Sequence, residues 1–258
     1  MRAKVRAALD ALYMKRLVKE LEGRPRPQHI GIMLDGNRRW AKESGIEDPR
    51  EGYRAGGAKV LDFLHWCDSA EIEHVTLYML SDDNLHRPED QLTPLIDIIA
   101  EVVERLAAPG NPWRVEVVGA LDLLPAESAS RLKTATAATQ GRQGGTKVDV
   151  AVGYGGRREI VDAVRSALTE HSAQGGDIDE FIETFTMEHI SKHLYSKARS
   201  ESDLIIRTSG EQRLSGFLLW QSAYAEMYFC ETYWPDFREI DFLRALRSYS
   251  LRERRYGR

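Results

Sequence analysis

Residues His29–Trp40 read HIGIMLDGNRRW, an apolar run that ends at Asp35 and gives way to a charged segment. A continuous apolar run of this length is typical of a strand that is covered on both faces of a sheet. Gly36 permits a sharp turn directly after the strand, and the residues beyond it favour the start of a helix. The stretch therefore predicts a strand–turn–helix unit with polar side chains where the strand ends.

The same alternation of short apolar runs and longer helix-period segments continues along the chain. The predicted strands are His29–Leu34, His74–Leu80, Arg114–Val118, Lys147–Val152, Asp203–Thr208 and Glu226–Phe229. The predicted helices are Tyr53–Ser69, Pro88–Ala107, Pro125–Thr139, Arg157–Ser172, Thr186–Tyr195 and Glu239–Arg254. This order predicts an α/β fold: a single domain with a mostly parallel six-stranded sheet and helices on both faces.

The composition is that of an ordinary globular protein, with 258 residues of which 42% are hydrophobic and 29% charged. The formal net charge of −4 argues against binding to nucleic acid, which usually requires a basic surface. Cys67 and Cys230 both lie in apolar, aromatic-rich runs and are expected to be buried thiols. Together with the lack of a signal sequence, they predict a cytoplasmic location.

Residues 1–25 are predicted to form an amphipathic helical extension ahead of the main domain. Apolar residues such as Leu9, Leu12 and Leu17 recur at helical spacing among lysines and arginines. Such a helix either packs on its parent fold, which we favour, or lies peripherally on an anionic membrane. No apolar stretch approaches the roughly 20 residues that a membrane-spanning helix needs.

The usual nucleotide-binding motifs are missing from the sequence. No G-x-G-x-x-G dinucleotide motif opens a helix after a strand, and no G-x-x-x-x-G-K-[ST] segment occurs. A parallel sheet that binds a phosphorylated ligand must then do so with other groups at the carboxyl ends of its strands.

The first candidate group is the polar cluster Asp35–Trp40, directly after the first predicted strand. Arg38 and Arg39 carry permanent positive charge in a fork that suits phosphate oxygens, and the helix start offers free N–H groups to an anion. Asp35 would repel that anion unless a divalent cation joined the two, and Mg²⁺ is commonly held by carboxylates together with substrate phosphates. The alternative is an Asx-type turn with solvated arginines.

Two further polar clusters follow later strands. Ser81–Arg87 comes after the second strand and is a weak signal by itself, since a serine or aspartate there could simply cap a helix. Arg207–Ser215 comes after the fifth strand and gathers arginines and serines around a glycine, which is typical of an anion-binding loop. Glu226 is a lone acid in an aromatic setting and should be paired, protonated or bound to a cation. The clusters together predict two phosphorylated substrates and a metal, without a nucleotide.

With these motifs the chain resembles the cis-prenyltransferases, the undecaprenyl diphosphate synthase family, from about His29 to Gly257. The resemblance rests on the joint occurrence of IMLDGNRRWA, S-x-x-N-x-x-R-P, AVGYGGRREIV, IIRTSGEQRLSGFLLWQSAYAEMYF and WPDF. It implies that residues 26–258 are the catalytic domain of a Mg²⁺-dependent enzyme that joins isopentenyl diphosphate to an allylic diphosphate with Z stereochemistry. The sequence is most similar to the short-chain actinobacterial branch, which makes Z,E-farnesyl diphosphate from geranyl diphosphate.

The resemblance also assigns roles to residues. Asp35 matches the catalytic aspartate that carries Mg²⁺, and Glu226 matches an acid associated with metal. Asn84 and Ser81 match residues at the proton-removal step. The residues that match the allylic diphosphate loop are Gly36, Asn37, Arg38, Arg39 and Trp40. Those that match the isopentenyl diphosphate pocket are Arg207, Arg213 and Ser215, and Arg87 lies beside Asn84.

The chain departs from the family pattern at Arg38, where many members have glycine, and also at Tyr53 and Met79. Many members have a histidine that contacts the allylic diphosphate where this chain has Tyr53, which can donate an O–H but cannot be a cation. Arg50 is expected to supply charge there instead. Met79 stands where long-chain members tend to have a small residue, and a bulkier side chain predicts a product of fifteen carbons or slightly more.

Two other functions remain open from the sequence, which also predicts an oligomeric state. The alternatives are a long-chain undecaprenyl or decaprenyl diphosphate synthase and a non-catalytic partner subunit of the same fold, although the chain keeps the site residues that such a partner lacks. The apolar, aromatic segment FLLWQSAYAEMYF (217–229) predicts a homodimer. The resemblance makes the basic tail Arg252–Arg258 a candidate for reaching the partner's site.

Overall fold

One parallel sheet organises the computed structural model of the chain, which describes residues 2–196 and 201–252, with side chains from residue 9 onward in the first helix. Its strands are β1 (His29–Met33), β2 (His74–Ser81), β3 (Arg114–Val118), β4 (Lys147–Tyr154), β5 (Leu204–Arg207) and β6 (Glu226–Phe229). Their order is β3-β4-β2-β1-β5-β6, and every neighbouring pair in the described sheet is parallel. The six-stranded α/β prediction is confirmed, and the sheet is parallel throughout rather than mostly so.

The helices connect and cover these strands. They are α1 (Arg2–Leu21), α2 (Asn37–Glu43), α3 (Pro49–Ser69), α4 (Glu89–Leu106), α5 (Ala126–Ala137), α6 (Gly156–Ala173), α7 (Ile178–Thr184), α8 (Met187–His193) and α9 (Glu239–Ser250). Helix α3 begins earlier than the predicted Tyr53, because the Asp48 side chain accepts a hydrogen bond from the Arg50 N–H and Pro49 suits the first turn.

Helix α7 was not predicted from the sequence. It is one of the short helices, and of its side chains Phe181 is buried whereas Ile178 and Ile182 stay exposed, so its apolar pattern is weak. Asp177 caps it by accepting hydrogen bonds from the N–H groups of Asp179, at 2.7 Å, and of Glu180, at 3.4 Å. The capping aspartate was the local signal that could have located this helix.

The sheet separates two cores of unequal size. The larger packs one face of the sheet against α3, α4, α5 and α9, with Phe63, Trp234 and Phe242 among its fully buried rings. The smaller lies on the other face, where Tyr154 and Phe217 pack edge to face with ring centroids 6.1 Å apart. The prediction that apolar side chains cover both faces of the sheet is confirmed.

Helix α1 packs on the parent fold through α9. Leu17 is fully buried in this contact, and Glu20 accepts a hydrogen bond from Arg247 at 2.7 Å. Leu9 and Leu12 remain exposed on the same helix. Across the described ranges, no helix combines the length and the apolar character that crossing a membrane would require. Residues 253–258 of the basic tail lie outside the described residues.

The strand order explains why distant polar clusters meet. β1 lies between β2 and β5, so the carboxyl ends of these three strands are neighbours at one edge of the sheet. The connection after β1 runs to β2 on one side and the connection after β5 runs to β6 on the other, which creates between β1 and β5 the crevice that ligands of open parallel sheets occupy. Trp234 fixes this edge, since its N–H donates to the Asp35 carbonyl at 3.0 Å and its indole N–H donates to the Gly56 carbonyl at 2.8 Å.

Candidate active site

A cavity of about 370 Å³ opens at the carboxyl edge of the sheet. Polar side chains that follow β1, β2 and β5 surround its mouth: Asp35, Asn37, Arg38, Arg39, Ser81, Asp83, Asn84, Arg87, Arg207 and Ser215. Its deeper part is apolar and is formed by Met33, Leu34, Gly56, Gly57, Met79, Leu80, Leu95, Ile98, Ile99 and Trp234. Such a shape suits a ligand with a charged head and a hydrocarbon tail.

An ion pair between Asp35 and Arg207 lies at the centre of the mouth. Arg207 Nε and Nη2 lie 2.9 Å and 2.8 Å from the same Asp35 oxygen, Oδ2. The Arg207 side chain is only 4% exposed, whereas that of Asp35 is 40% exposed. The buried guanidinium therefore holds the carboxylate in place while part of the carboxylate remains accessible from the cavity.

The β1–α2 turn depends on a glycine. Gly36 has φ +103°, and a Cβ at this position would lie 2.6 Å from the Tyr233 ring and 3.0 Å from Ser209 Cβ. Only a residue without a side chain fits this left-handed conformation and close approach. The turn places Asn37 beside Asp35, and the Asn37 amide donates to the Leu34 carbonyl at 2.8 Å.

Arg39 is held from three sides at the edge of the cavity. Its Nη2 donates to Ser209 Oγ at 2.7 Å, its Nη1 lies 3.2 Å from Glu211 Oε1, and its guanidinium lies 5.5 Å from the centre of the Tyr233 ring. Arg38 also lines the cavity and is exposed. The two arginines provide the positive charge that the sequence predicted there.

The cluster after β2 folds into a 3₁₀ turn, Asp83–His86. Ser81 Oγ accepts a hydrogen bond from the Asn84 N–H at 3.2 Å, so part of its role is the local capping that was one alternative. The side chains of both residues nevertheless line the cavity. Arg87 Nη1 donates to Tyr53 Oη at 3.2 Å, which links this cluster to α3.

The loop after β5 is organised by Arg207. Arg207 Nη1 donates to Ser215 Oγ at 2.9 Å and to the Arg213 carbonyl. Ser209 and Ser215 both have positive φ, +76° and +48°, which is uncommon for residues with a side chain. The internal hydrogen bonds of a buried arginine thus stabilise an unusual backbone at the mouth of the cavity.

Four of the predicted site residues do not line this cavity. Trp40 belongs to α2 but lies outside the lining. Arg50 is bound to Asp48, with Nε 2.8 Å from Oδ2, because the two residues are neighbours at the start of α3. It lines a neighbouring groove instead of the cavity. Arg213 points to the surface, where it contacts Glu211.

Glu226 is the fourth of these residues, and within one subunit it lies away from the cavity. It pairs in register with Leu204 at the start of β5, whereas the cavity lies beyond Arg207 at the end of that strand. Three residues of strand correspond to roughly 10 Å. Glu226 contacts Arg252 instead, so within one subunit it lies away from Asp35.

The donor set was compared with what Mg²⁺ requires. Among the described residues, no group of three or more carboxylate, histidine or cysteine side chains gathers as a metal cage. Mg²⁺ typically uses one or two carboxylates, several waters and substrate phosphates, and Asp35 supplies such a carboxylate. The Asp35 side chain lines the cavity and is 40% exposed, so its carboxylate is accessible to an ion there. The residues present therefore fit Mg²⁺.

Sequence reasoning missed several residues of this site. Tyr78 lies on β2, and burial raises the pKa of its phenol well above the ordinary value, so it remains a proton donor to the Ser215 carbonyl at 3.4 Å. Glu211, Tyr233 and Trp234 approach from loops far along the chain. Glu211 lies in the RTSGEQR segment and Trp234 in WPDF, with Tyr233 directly before it, so the sequence offered their positions as a signal but offered none for their contacts.

Comparisons with known proteins agree on one family of enzymes. Residues 32–257 match the family model described as "Putative undecaprenyl diphosphate synthase". Over 258 residues the chain is 93% identical to isoprenyl transferase 2 of Streptomyces coelicolor, with 100% of both chains covered. It is 55% identical to a (2Z,6E)-farnesyl diphosphate synthase of Thermobifida fusca, covering 98% of each.

A further relative and a solved structure support the same family. The chain is 52% identical to a short-chain Z-isoprenyl diphosphate synthase of Mycobacterium leprae, with 99% of this chain and 98% of the relative covered. Its fold matches lavandulyl diphosphate synthase from Lavandula x intermedia, solved in complex with dimethylallyl diphosphate, with a TM-score of 0.82 at 30% identity. That match covers 90% of this chain and 99% of the plant enzyme chain.

Proposed function

This chain belongs to the undecaprenyl diphosphate synthase family of prenyl-transferring enzymes, and we propose that it condenses isopentenyl diphosphate with geranyl diphosphate to give Z,E-farnesyl diphosphate. The observation that carries the proposal is the cavity, with arginines at its mouth and a short apolar interior. Relatives named (2Z,6E)-farnesyl and short-chain Z-isoprenyl diphosphate synthases match nearly the whole chain, which supports this choice of product.

The first chemical requirement is departure of the allylic diphosphate. The C–O bond at C1 of the allylic substrate breaks, and the diphosphate oxygen keeps the electron pair. Arg38 and Arg39 lie where they can neutralise that charge, while Asn37 and Gly36 shape the loop around it. Asp35 would hold Mg²⁺, and the ion when bound supplies further neutralisation of the leaving group.

The second requirement is a positioned isopentenyl diphosphate. We assign its diphosphate to the loop after β5, with Arg207 and Ser215 in the cavity wall and Arg213 at the surface beside them. Its double-bond electrons form the new bond to the allylic C1, and loss of a C2 proton restores a double bond in the Z geometry. Asn84 has a nearly non-basic amide, so we assign it, with Ser81, to orienting the group that accepts the proton.

The length of the apolar interior supports a short product. The α4 residues that line it run from Leu95 to Ile99, which is about 6 Å of helix axis. One turn further, α3 and α4 touch: a Cβ on Gly57 would lie 2.6 Å from Val102 Cγ2. Close helix packing therefore closes the cavity after a short distance. This favours a fifteen-carbon product over the long-chain alternative.

The remaining features of the enzyme are also proposals. We expect a homodimer, because the half-buried edge strand β6 belongs to an apolar, aromatic segment. The free buried thiols Cys67 and Cys230 support a cytoplasmic location. Exposed Leu9 and Leu12 on the basic helix α1 leave peripheral membrane contact as a prediction.

The function is tested with purified protein, geranyl diphosphate, radiolabelled isopentenyl diphosphate and Mg²⁺. Chromatography of the dephosphorylated products should give a fifteen-carbon Z,E alcohol, and a chelator should abolish it until Mg²⁺ is added back. Chains of about fifty carbons would instead identify a long-chain synthase. No product with any allylic starter would favour the non-catalytic partner subunit.

A further inference from the structure

Three of the arginines that the proposed function assigns to diphosphates, Arg39, Arg207 and Arg213, are paired with carboxylates in the structure. Arg207 is paired with Asp35 at 2.8 Å. Arg39 and Arg213 share one acid: Glu211 Oε1 lies 3.2 Å from Arg39 Nη1, and Glu211 Oε2 contacts Arg213 Nη1. A single carboxylate thus joins the arginine of the β1–α2 loop to an arginine of the loop after β5.

We propose that Glu211 is an internal counter-anion, which holds Arg39 and Arg213 together in place of diphosphate oxygens and is displaced when a diphosphate binds. The proposal rests on the diphosphate sites of the proposed function and adds a residue that opposes binding there. A guanidinium fork is suited to any paired oxyanion, so a carboxylate is the nearest substitute that a protein side chain offers.

Glu211 is suited to be a reversible partner. Its side chain is 28% exposed and that of Arg213 is 63% exposed, so water screens the pair and makes its exchange for a more highly charged anion favourable. A hydrogen bond from Arg213 lowers the pKa of Glu211, which keeps the carboxylate charged at neutral pH. The pair differs in this respect from Asp35–Arg207, whose guanidinium is buried.

The contacts around Glu211 allow its carboxylate to leave while Arg39 keeps its position. Arg39 keeps two other partners, the Ser209 hydroxyl at 2.7 Å and the Tyr233 ring at 5.5 Å, and remains in place when the carboxylate leaves. Gly210 has φ +74°, and a Cβ there would lie 2.5 Å from Glu231 Oε2. Glu231 thus lies against the backbone just before Glu211 and is a second carboxylate beside this loop.

The function of such a counter-anion is to limit how tightly diphosphates are held. Both substrates and the released pyrophosphate carry the same head group, so arginines without an internal competitor would retain the leaving pyrophosphate. Glu211 competes for the two arginines and favours release. Glu211→Gln removes the charge while retaining an oxygen that can accept from Arg213, and is therefore expected to tighten anion binding rather than to disrupt the loop.

The test is titration calorimetry with inorganic pyrophosphate and Mg²⁺ on the wild type and Glu211→Gln. We expect the dissociation constant to fall about three- to tenfold in the variant, as removal of a competing charge close to a guanidinium predicts. The matched control is Glu104→Gln. It removes an acid of α4 that is paired with Arg131 of α5, and it should leave the dissociation constant unchanged. In an Arg213→Gln background, Glu211→Gln should have a smaller effect than in the wild type, because only the competition at Arg39 remains.

Steady-state kinetics give a second readout. Glu211→Gln should lower the KM for isopentenyl diphosphate and increase product inhibition by pyrophosphate, with an unchanged melting temperature. An unchanged or weaker pyrophosphate affinity in Glu211→Gln, in a wild type that binds pyrophosphate and turns over, overturns this inference alone. A wild type that binds no pyrophosphate overturns the diphosphate sites of the proposed function and the inference with them.

Discussion

The pairing of Asp35 with Arg207 combines a buried cation with an accessible anion. Because the Arg207 side chain is 4% exposed, its charge requires a partner in the fold, and Asp35 Oδ2 accepts from it at 2.9 Å and 2.8 Å. Removing one member of a fully buried pair costs about 3–5 kcal/mol, and because Asp35 is itself 40% exposed its removal should cost less than that. Asp35 thus has a structural function in addition to the metal-binding function that we propose.

These two functions of Asp35 can be separated by mutation. Asp35→Ala should lower kcat by about 10³ or more, because it removes the carboxylate that would hold Mg²⁺, and should also lower the melting temperature. Asp35→Asn keeps an oxygen that can accept from Arg207, so its melting temperature should stay closer to that of the wild type while kcat falls similarly. The measurements are steady-state kinetics at saturating Mg²⁺ and thermal unfolding by circular dichroism. Near-wild-type turnover in Asp35→Asn would contradict the metal-binding assignment.

Tyr53 replaces the histidine that many family members have, and the structure gives it a neighbour. Arg87 Nη1 donates to Tyr53 Oη at 3.2 Å, so the phenol positions a cation at the cavity mouth instead of being one. Tyr53→Phe removes this contact and should raise the KM for the allylic diphosphate about fivefold, which corresponds to a loss of about 1 kcal/mol. The kcat should change much less, because the leaving group remains neutralised by other residues. Equal losses in kcat and kcat/KM would instead indicate contact in the transition state.

At the scale of elements, β2 carries the feature that shapes the apolar interior. Its pairing with β4 slips between Tyr78 and Leu80, which pair with Ala151 and Val152, so that Met79 is an extra residue in the strand. Such a bulge turns a side chain to the face opposite to the one that alternation predicts. Met79 and Leu80 consequently both pack on the side of the larger core, where they line the cavity.

Met79→Ala is expected to lengthen the product. The exchange removes about three heavy atoms from the wall of a close-packed channel and opens room for a further isoprene unit. Chromatography of the dephosphorylated products should show a shift from fifteen carbons toward twenty or more. Met187→Ala, at an exposed position on α8, is the matched control and should leave the product unchanged. If Met79→Ala folds normally and still gives only the fifteen-carbon product, Met79 does not limit chain length.

At the scale of the whole molecule, the uncovered edge of the sheet predicts its assembly. β6 is an edge strand whose residues are all only partly buried, and it ends an apolar segment that also contains the exposed Tyr224. Light scattering at micromolar concentration should give twice the mass of the chain. Tyr224→Glu should shift the protein toward monomer, whereas Val161→Glu, at another exposed apolar position on α6, should not. A monomeric wild type would contradict the homodimer.

The sequence by itself determined the class of fold and the three polar clusters. β-Strands covered on both faces are continuous apolar runs, and all six were recognised because that signal is local. Asp35, Asn84 and Arg207 belong to the polar clusters recognised at the ends of such runs, and parallel strands carry such residues to one edge, whereas the role of Asn84 came from the family resemblance. The element ends and the short helix α7 were less predictable, since caps and a weak apolar pattern decide them.

The tertiary structure decided what depends on strand pairing and on contacts between distant segments. The bulge at Met79 exists only in relation to β4, the position of Glu226 follows from its register with Leu204, and Glu211 meets Arg39 across 172 positions of chain. None of these relations has a local signature, because periodicity reports which face a residue takes and not which partner lies opposite. The sequence therefore indicated a diphosphate-binding prenyltransferase, whereas the packing of the sheet decided which charges meet and where the cavity ends.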